Sequence, residues 1–310
     1  MRCAAEAGIL RAMHAMHIYQ ILNHYTSRQE LDPDFGVLDN SANERPDWFE
    51  YWPIRRFLLN QALDEQAFYG FLSPKFKIKT NLNAAAVREF ILGADPGTDV
   101  VLFSPSIHKS AYYLNVFVHG DAEHPGLKNV AARLFERLDL RTDLDSLVTD
   151  SRTTVHSNYF IAKPRFWRAW LSINEKMFAI AETPGDPLGE ALRMQTRYRG
   201  GHNVEMKIFV MERLATWLLT CDRSFKARVW DPFAARSRIY KLPVAIICDA
   251  LKIAYSTQGR GQYKDVFLML RGLSNFWTWQ IKMARNFGFG GVRRSLRVLK
   301  SYWERSGSGR

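Results

Sequence analysis

Three cysteines in 310 residues, Cys3, Cys221 and Cys248, are too few and too scattered for a disulfide framework or a zinc spacing. They suit a reducing compartment, where an isolated cysteine is usually a small buried residue. Long apolar runs are lacking too. No segment reaches the roughly 18 uninterrupted apolar residues needed to cross a bilayer. The short apolar stretch at the start is interrupted by Glu6, Arg11 and His14, a poor pattern for a signal peptide. Several catalytic signatures are also missing: a Walker lysine motif, a dinucleotide glycine fingerprint after the first strand, a nucleophile elbow and HExxH.

What is present excludes disorder, collagen and coiled coil. The chain is 47% hydrophobic and 24% charged, with ample apolar material for a core, and its 13% aromatic share is high. Net charge is +12, unevenly placed. Residues 235–310 hold 15 Lys/Arg against 3 Asp/Glu, so the first 234 residues sum to zero. A neutral body with a basic C-terminal quarter points to local binding of something anionic, such as nucleic acid or a phospholipid surface.

Residues 1–16 read as an extension ahead of an internal start at Met16, because the patterned sequence begins at His17. His17–Leu22 is expected to be a strand and the Asp/Asn/Pro-rich stretch through Arg45 a loop. A helix over Ile54–Leu63 follows Pro53 in its first turn. Strands are expected over Gln66–Leu72, Asp99–Ser104 and His156–Ala162, with a shorter one over Lys226–Trp230. Helices are expected over Asn83–Leu92, Lys109–Val118, Leu127–Arg137, Phe166–Ala181 and Val204–Thr220. Beyond residue 235 the chain reads as helical, over Val244–Tyr255, Lys264–Met283 and Val292–Trp303. Alternating strands and helices over 17–234 indicate an α/β unit with a largely parallel sheet, and 235–310 a helical basic region.

In such sheets ligands gather beyond the carboxyl ends of the strands. Those ends carry Ser73 with Lys75, Ser104 with His108, and the Asp150–Asn158 region, groups able to hold phosphate or sugar hydroxyls. His119, Asp121, Glu123 and His124 gather imidazole and carboxylate in six residues. They read either as a divalent-ion site or as a polar helix-ending loop. Asp143 and Asp145 form an Asp-x-Asp pair that ends no apolar strand, so a capping turn competes with a metal role. The glycines Gly288, Gly290 and Gly291 precede a helix without a strand before them, which suits a hinge better than a phosphate cradle.

Five segments in order, WPIRRFLL, FYGFLSPKF, DVVLFSPS, HSNYFIAKPRFWRAW and MKIFVMERLATWLL, resemble a group of bacterial GT-A-type glycosyltransferases of capsule and lipopolysaccharide biosynthesis. The resemblance spans roughly residues 17–232. It implies a Rossmann-like GT-A fold and sugar transfer from a nucleotide-sugar donor to a glycan or lipid-linked acceptor. Asn23 and Tyr25 would open the nucleotide pocket, with Arg55, Tyr69, Ser73, Lys75 and Ser104 also on the donor side. His156 and Asn158 would face the sugar or acceptor. Asp150 and Glu212 are the candidates for the catalytic carboxylate, against a turn or cap for Asp150 and an internal Arg salt bridge for Glu212. Two departures stand out. The family's His-Tyr-Arg-Arg stretch is here Ser73-Pro-Lys-Phe76, and no Asp-x-Asp ends a strand. A manganese or magnesium requirement is therefore left open, with Arg55, Arg56 and Lys75 as alternative cations.

Val292, Leu296, Leu299 and Trp303 recur at helical spacing, while Arg293, Arg294, Arg297 and Lys300 lie mainly off that stripe. Such a helix would lie on an anionic membrane surface, anchored by Phe287, Phe289 and Trp303, or pack on the body through its stripe. The resulting expectation is a cytoplasmic enzyme, peripheral on the inner face of the cell membrane. A nucleic-acid-binding protein and a non-catalytic scaffold of the same fold are the competing expectations.

Overall fold

The structure, a computed structural model, describes residues 15–197, 203–233 and 242–273. The chain begins with β1 (Met16–Asn23), β2 (Gly36–Asn40), α1 (Tyr51–Asn60), β3 (Phe68–Leu72), α2 (Phe76–Thr80) and α3 (Ala84–Leu92). It continues with β4 (Val100–Leu102), α4 (Ile107–Ser110), α5 (Val116–Glu123), α6 (Leu127–Arg137), β5 (Phe160–Ala162) and α7 (Pro164–Glu182). Then follow α8 (Pro187–Arg193), β6 (Gln195–Arg197), β7 (Asn203–Glu205), α9 (Met206–Cys221), β8 (Ala227–Val229) and α10 (Leu242–Gln258). Residues 261–273 form a further helix, α11.

Six strands make one sheet in the order β2-β1-β3-β5-β4-β8, with every strand parallel except β5. The expected mostly parallel α/β sheet flanked by helices is therefore present. β6 and β7 pair separately as an antiparallel ribbon.

The two-residue period of a strand sorts side chains into two layers. Tyr69, Phe71, Val100, Leu102, Phe160 and Ala162 face a core built with α1, α6, α7 and α9. Their neighbours Phe68, Leu72, Val101, Phe103 and Ile161 face the opposite core with α2 and α3. Coverage on both faces explains why these strands read as continuous apolar runs. Gly70 permits close approach of β5, since a Cβ there would lie 2.7 Å from Ile161 Cγ1.

Three expectations are corrected. The stretch before Arg45 is not all loop, because Gly36–Asn40 forms β2, an edge strand hydrogen-bonded only to β1. The strand expected from His156 begins at Phe160, because Ser157 and Asn158 adopt left-handed φ values of 59° and 52°. The helix expected over Lys109–Val118 breaks at Ala111–Asn115. Asn115 then caps α5, accepting from the N–H groups of Phe117 and Val118 while donating to the Leu144 and Leu147 carbonyls.

α10 packs on the body through Cys248, which joins Leu114, Val148 and Phe267 of α11 in a small third core. Asp249 Oδ1 accepts from Ser151 N–H at 2.8 Å and Lys252 donates to the Tyr113 carbonyl at 3.1 Å. The boundary expected near residue 235, residues 1–14 of the expected 1–16 extension, the Gly288–Gly291 run and the helix bearing Arg293, Arg294, Arg297, Lys300 and Trp303 lie outside the described residues, while Met16, the last residue of that extension, opens β1.

Candidate functional site

Parallel strands send β1, β2, β3, β4 and β8 to one rim, and antiparallel β5 begins there. The segment entering α1 is also fixed by a dense ionic network. Asp47 accepts a bidentate pair from Arg45 and a 2.8 Å bond from Lys207 of α9. Burial alone would raise the Asp47 carboxyl, but these cations hold it down at about 2. Arg45 also reaches Glu182, which accepts from Trp48 Nε1. Lys207 is 1% exposed, lies over the Trp48 ring and pairs in addition with Glu205.

This anchorage places Phe49 at φ 46°, ψ −128°, a region costly for any residue with a Cβ. Glu50 comes next, immediately before α1. Burial pushes its carboxyl up to about 7, with Lys79 pulling down, Glu212 pushing up and Lys75 pulling down. Glu212, on the same α9 helix as Lys207, is likewise raised by burial, against Arg213 and Lys79. Both glutamates keep partial access to solvent, and among the described residues neither carboxyl makes a hydrogen bond or ion pair. Two unengaged carboxyls that feel one another, with two lysines beside them, are unlike the surface ion pairs elsewhere in the chain. A carboxyl poised near neutrality can accept a proton from a hydroxyl.

The loop into β5 supplies polar groups beside this pair. Lys79 Nζ donates to Ser157 Oγ at 3.0 Å and lies over the Tyr159 ring. The Tyr159 hydroxyl shares a 2.5 Å hydrogen bond with Ser73 Oγ. Asn158 is 5% exposed, yet its Oδ1 has no partner. An orphaned buried amide in a left-handed residue is a costly arrangement of the kind that persists at functional sites.

Next along the rim is an imidazole pair. His119 and His156 stand edge to face at 5.8 Å, and His156 Nε2 meets Ser110 Oγ at 2.9 Å. Burial, Arg213, Lys109 and Lys252 hold His119 down at about 3. Burial first, then His119 and the same cations, hold His156 well below the usual imidazole range. Both rings are therefore neutral at neutral pH.

The sequence candidates divide in two. Glu212, Lys75, Ser73, Asn158, His156 and Ser104 sit at the rim. Ser104 is spent on the loop itself, donating to the Thr154 carbonyl and accepting from His156 N–H. Asn23 is at the end of β1, where its Oδ1 caps the turn through Tyr25 N–H and Thr26; Tyr25 is 84% exposed and its ring lies tilted against His24. Arg55, by contrast, makes a bidentate pair with Glu175 and ties α1 to α7. Tyr69 lies at the amino-terminal end of β3, stacked on His17, its hydroxyl accepting from Asp64 N–H. Arg56 pairs with Glu44.

Asp150 is held in a bidentate bridge to Arg152 and accepts from Ser256 of α10. Those contacts outweigh burial and lower its pKa. This engaged carboxylate fastens the α10 helix. For Glu212 the internal Arg bridge is absent: Arg213 donates instead to the Val116 and Phe209 carbonyls. Glu50 is the site residue that sequence reasoning missed. Its signal was a glutamate directly before a helix-opening Tyr-Trp-Pro, which spacing alone does not distinguish from an ordinary first-turn carboxylate.

His119, Asp121 and Glu123 lie within α5 rather than in a helix-ending loop, and His124 stacks on Phe209 at 3.6 Å. Asp121 caps α6 through Gly126 and Lys128 N–H, and Asp143 accepts from Asp145 N–H, as a capping turn would. With Lys128 they border an open groove of about 520 Å³, away from the rim. A second, negligible hollow lies under α10 and α11. Among the described residues no three His, Cys, Asp or Glu side chains converge as a metal site, and no helix is long and apolar enough to cross a membrane.

Comparison with known protein families, with curated proteins and with solved structures returns no match.

Proposed function

We propose that the protein is a glycosyltransferase that moves a sugar from a nucleotide-sugar donor to a hydroxyl of a glycan or lipid-linked acceptor. One observation carries this reading: the unengaged Glu50–Glu212 pair with Lys75 and Lys79, at the carboxyl rim of a mostly parallel sheet. That rim is where α/β sheets bind ligands, and the sheet is compatible with the GT-A likeness of the sequence.

In this reading the acceptor oxygen attacks the anomeric carbon as the bond from that carbon to the donor diphosphate breaks. The acceptor proton passes to the carboxylate of Glu50 or Glu212, and the nucleoside diphosphate leaves with the bonding pair. Lys75 and Lys79 face the charge that grows on the departing diphosphate. The segment after β3 presents Ser73 and Lys75 where the resembled family has a His-Tyr-Arg-Arg stretch. The described part of the C-terminal region exposes Ile246, Ile247, Val266, Leu268 and Met269. These exposed apolar residues support peripheral attachment to an anionic membrane, where a lipid-linked acceptor would reside.

The test is a thermal-shift screen with UDP, GDP, CMP and dTDP sugars, with and without manganese. A donor that binds the native state alone raises its melting temperature, and the gain should be lost in Lys75→Ala. No stabilisation by any donor would refute the reading.

A further inference from the structure

The imidazole pair has a setting that the sugar-transfer step leaves unexplained. Arg213 runs beneath α5 at Gly120, where a Cβ would come within 2.6 Å of its Cζ. Its guanidinium donates to the Val116 and Phe209 carbonyls and has no carboxylate at ion-pair distance among the described residues. Lys252, 3% exposed, donates to the Tyr113 carbonyl, again without such a partner. Glu212 and Glu123 act on Arg213 only at longer range, as Asp249 and Asp150 do on Lys252. Two buried cations without contact carboxylates are costly unless an anion balances them.

Both cations act electrostatically on His119 and His156, as Lys109 does; Ser110 Oγ lies within hydrogen-bond reach of His156, and Lys109 is exposed. His119 Nδ1 is buried without a hydrogen-bond partner. Its ring is held between Tyr113, at 4.9 Å, and His156. Both histidines retain partial solvent access, so a ligand can reach them from solvent.

We infer that His119, His156, Ser110 and Lys109 form a second rim subsite that binds a phosphoryl group, with Arg213 and Lys252 as the fixed positive charge behind it. The imidazoles donate to the phosphoryl oxygens, Ser110, whose hydroxyl donates to the Ile107 carbonyl, orients His156 by accepting from its Nε2, and Lys109 closes the mouth. The subsite stands on its own contacts. Only the identity of the phosphoryl bearer, donor or acceptor, rests on the sugar-transfer reading.

Full-length protein titrated with inorganic phosphate and pyrophosphate, followed by histidine C2-proton NMR, tests this. Binding should move two imidazoles to higher pKa, because a nearby anion favours their charged form. Lys109→Ala, at an exposed position, should weaken pyrophosphate about tenfold, and His119→Gln should weaken it by a similar factor or more. Parallel titrations with UDP and with a hexose 1-phosphate separate the sources. UDP competing with pyrophosphate assigns the pocket to the donor, whereas hexose 1-phosphate competing alone assigns it to a phosphorylated acceptor. Absence of any histidine shift at millimolar pyrophosphate, or equal affinity in parent and Lys109→Ala, overturns the inference. Loss of donor stabilisation in the thermal screen, with pyrophosphate binding intact, removes the sugar-transfer reading alone.

Discussion

Replacing Glu50 by Gln should make the protein more stable, and only above acid pH. The native carboxyl titrates at about 7, against an ordinary value of 4.5. At about 1.4 kcal/mol per tenfold in proton affinity, this corresponds to a ceiling of about 3 kcal/mol. Partial solvent access of Glu50 lowers the realistic figure to about 1–2 kcal/mol. The sign follows from proton counting. Between pH 4.5 and 7 the native state holds a proton that the unfolded chain has released. Stability supplied by this group is therefore complete below pH 4.5 and lost as pH rises through 7. Glutamine removes the loss, so Glu50→Gln and the parent should agree at pH 4 and separate by about 1–2 kcal/mol at pH 8. Urea unfolding of both proteins across that range measures the difference. The same substitution should abolish or greatly reduce transfer, because the proton acceptor is gone or its partner altered. A second arm uses Glu212→Gln, which removes the neighbouring negative charge and should lower the Glu50 midpoint. A stability difference independent of pH, or a variant less stable than the parent at pH 8, would refute the account of the pair.

The other expectations concern the framework. Asp150→Ala should cost about 1–2 kcal/mol by removing a buried carboxylate from a bridge whose arginine is partly exposed, while folded material keeps its donor-induced thermal stabilisation; selective loss of that stabilisation would return Asp150 to the binding site. The stability that the low-pKa Asp150 supplies is present above the ordinary carboxyl range and lost as pH falls through its native value. Gly120→Ala drives a methyl group into the Arg213 guanidinium and should cost about 1–3 kcal/mol, seen as a lowered melting temperature; an unchanged value would mean that Arg213 is free to move. Full-length protein should sediment with vesicles containing anionic lipid, weakly with neutral ones, and less as salt rises. Equal sedimentation with both kinds would count against an electrostatic membrane contact.

The sheet was legible because burial on both faces leaves a mark on neighbouring letters. FYGFL and VVL are continuous apolar runs, and each later proved to feed two cores. The edge strand Gly36–Asn40 left no such mark, since Val37 and Asp39 face water and its partner lies on one side only. The break before α5 was hidden for another reason. Asn115 ends one helix tendency and caps the next by reaching Leu144 and Leu147, 29 and 32 residues away. No window along the chain contains that contact.

The carboxylates illustrate the sharper limit. Asp150 and Glu212 looked equivalent as letters, each beside or near an arginine. The fold gives Asp150 a bidentate partner and turns Arg213 away from Glu212 toward main-chain carbonyls. Glu50 then acquires its elevated pKa from burial and from Glu212 on α9, against the opposing pull of Lys79 and Lys75. Asp47, three residues earlier, is driven in the opposite direction by Arg45 and Lys207. Two acids so near in sequence end with pKa values of about 2 and about 7, because one fastens the turn and the other is left unengaged by that fastening. The charge state of this rim is thus a consequence of which charges the framework consumes, and the lysine that consumes Asp47 lies on the same helix as Glu212. Loosening that anchor through Lys207→Met should therefore disturb Glu50 titration before it disturbs the sheet.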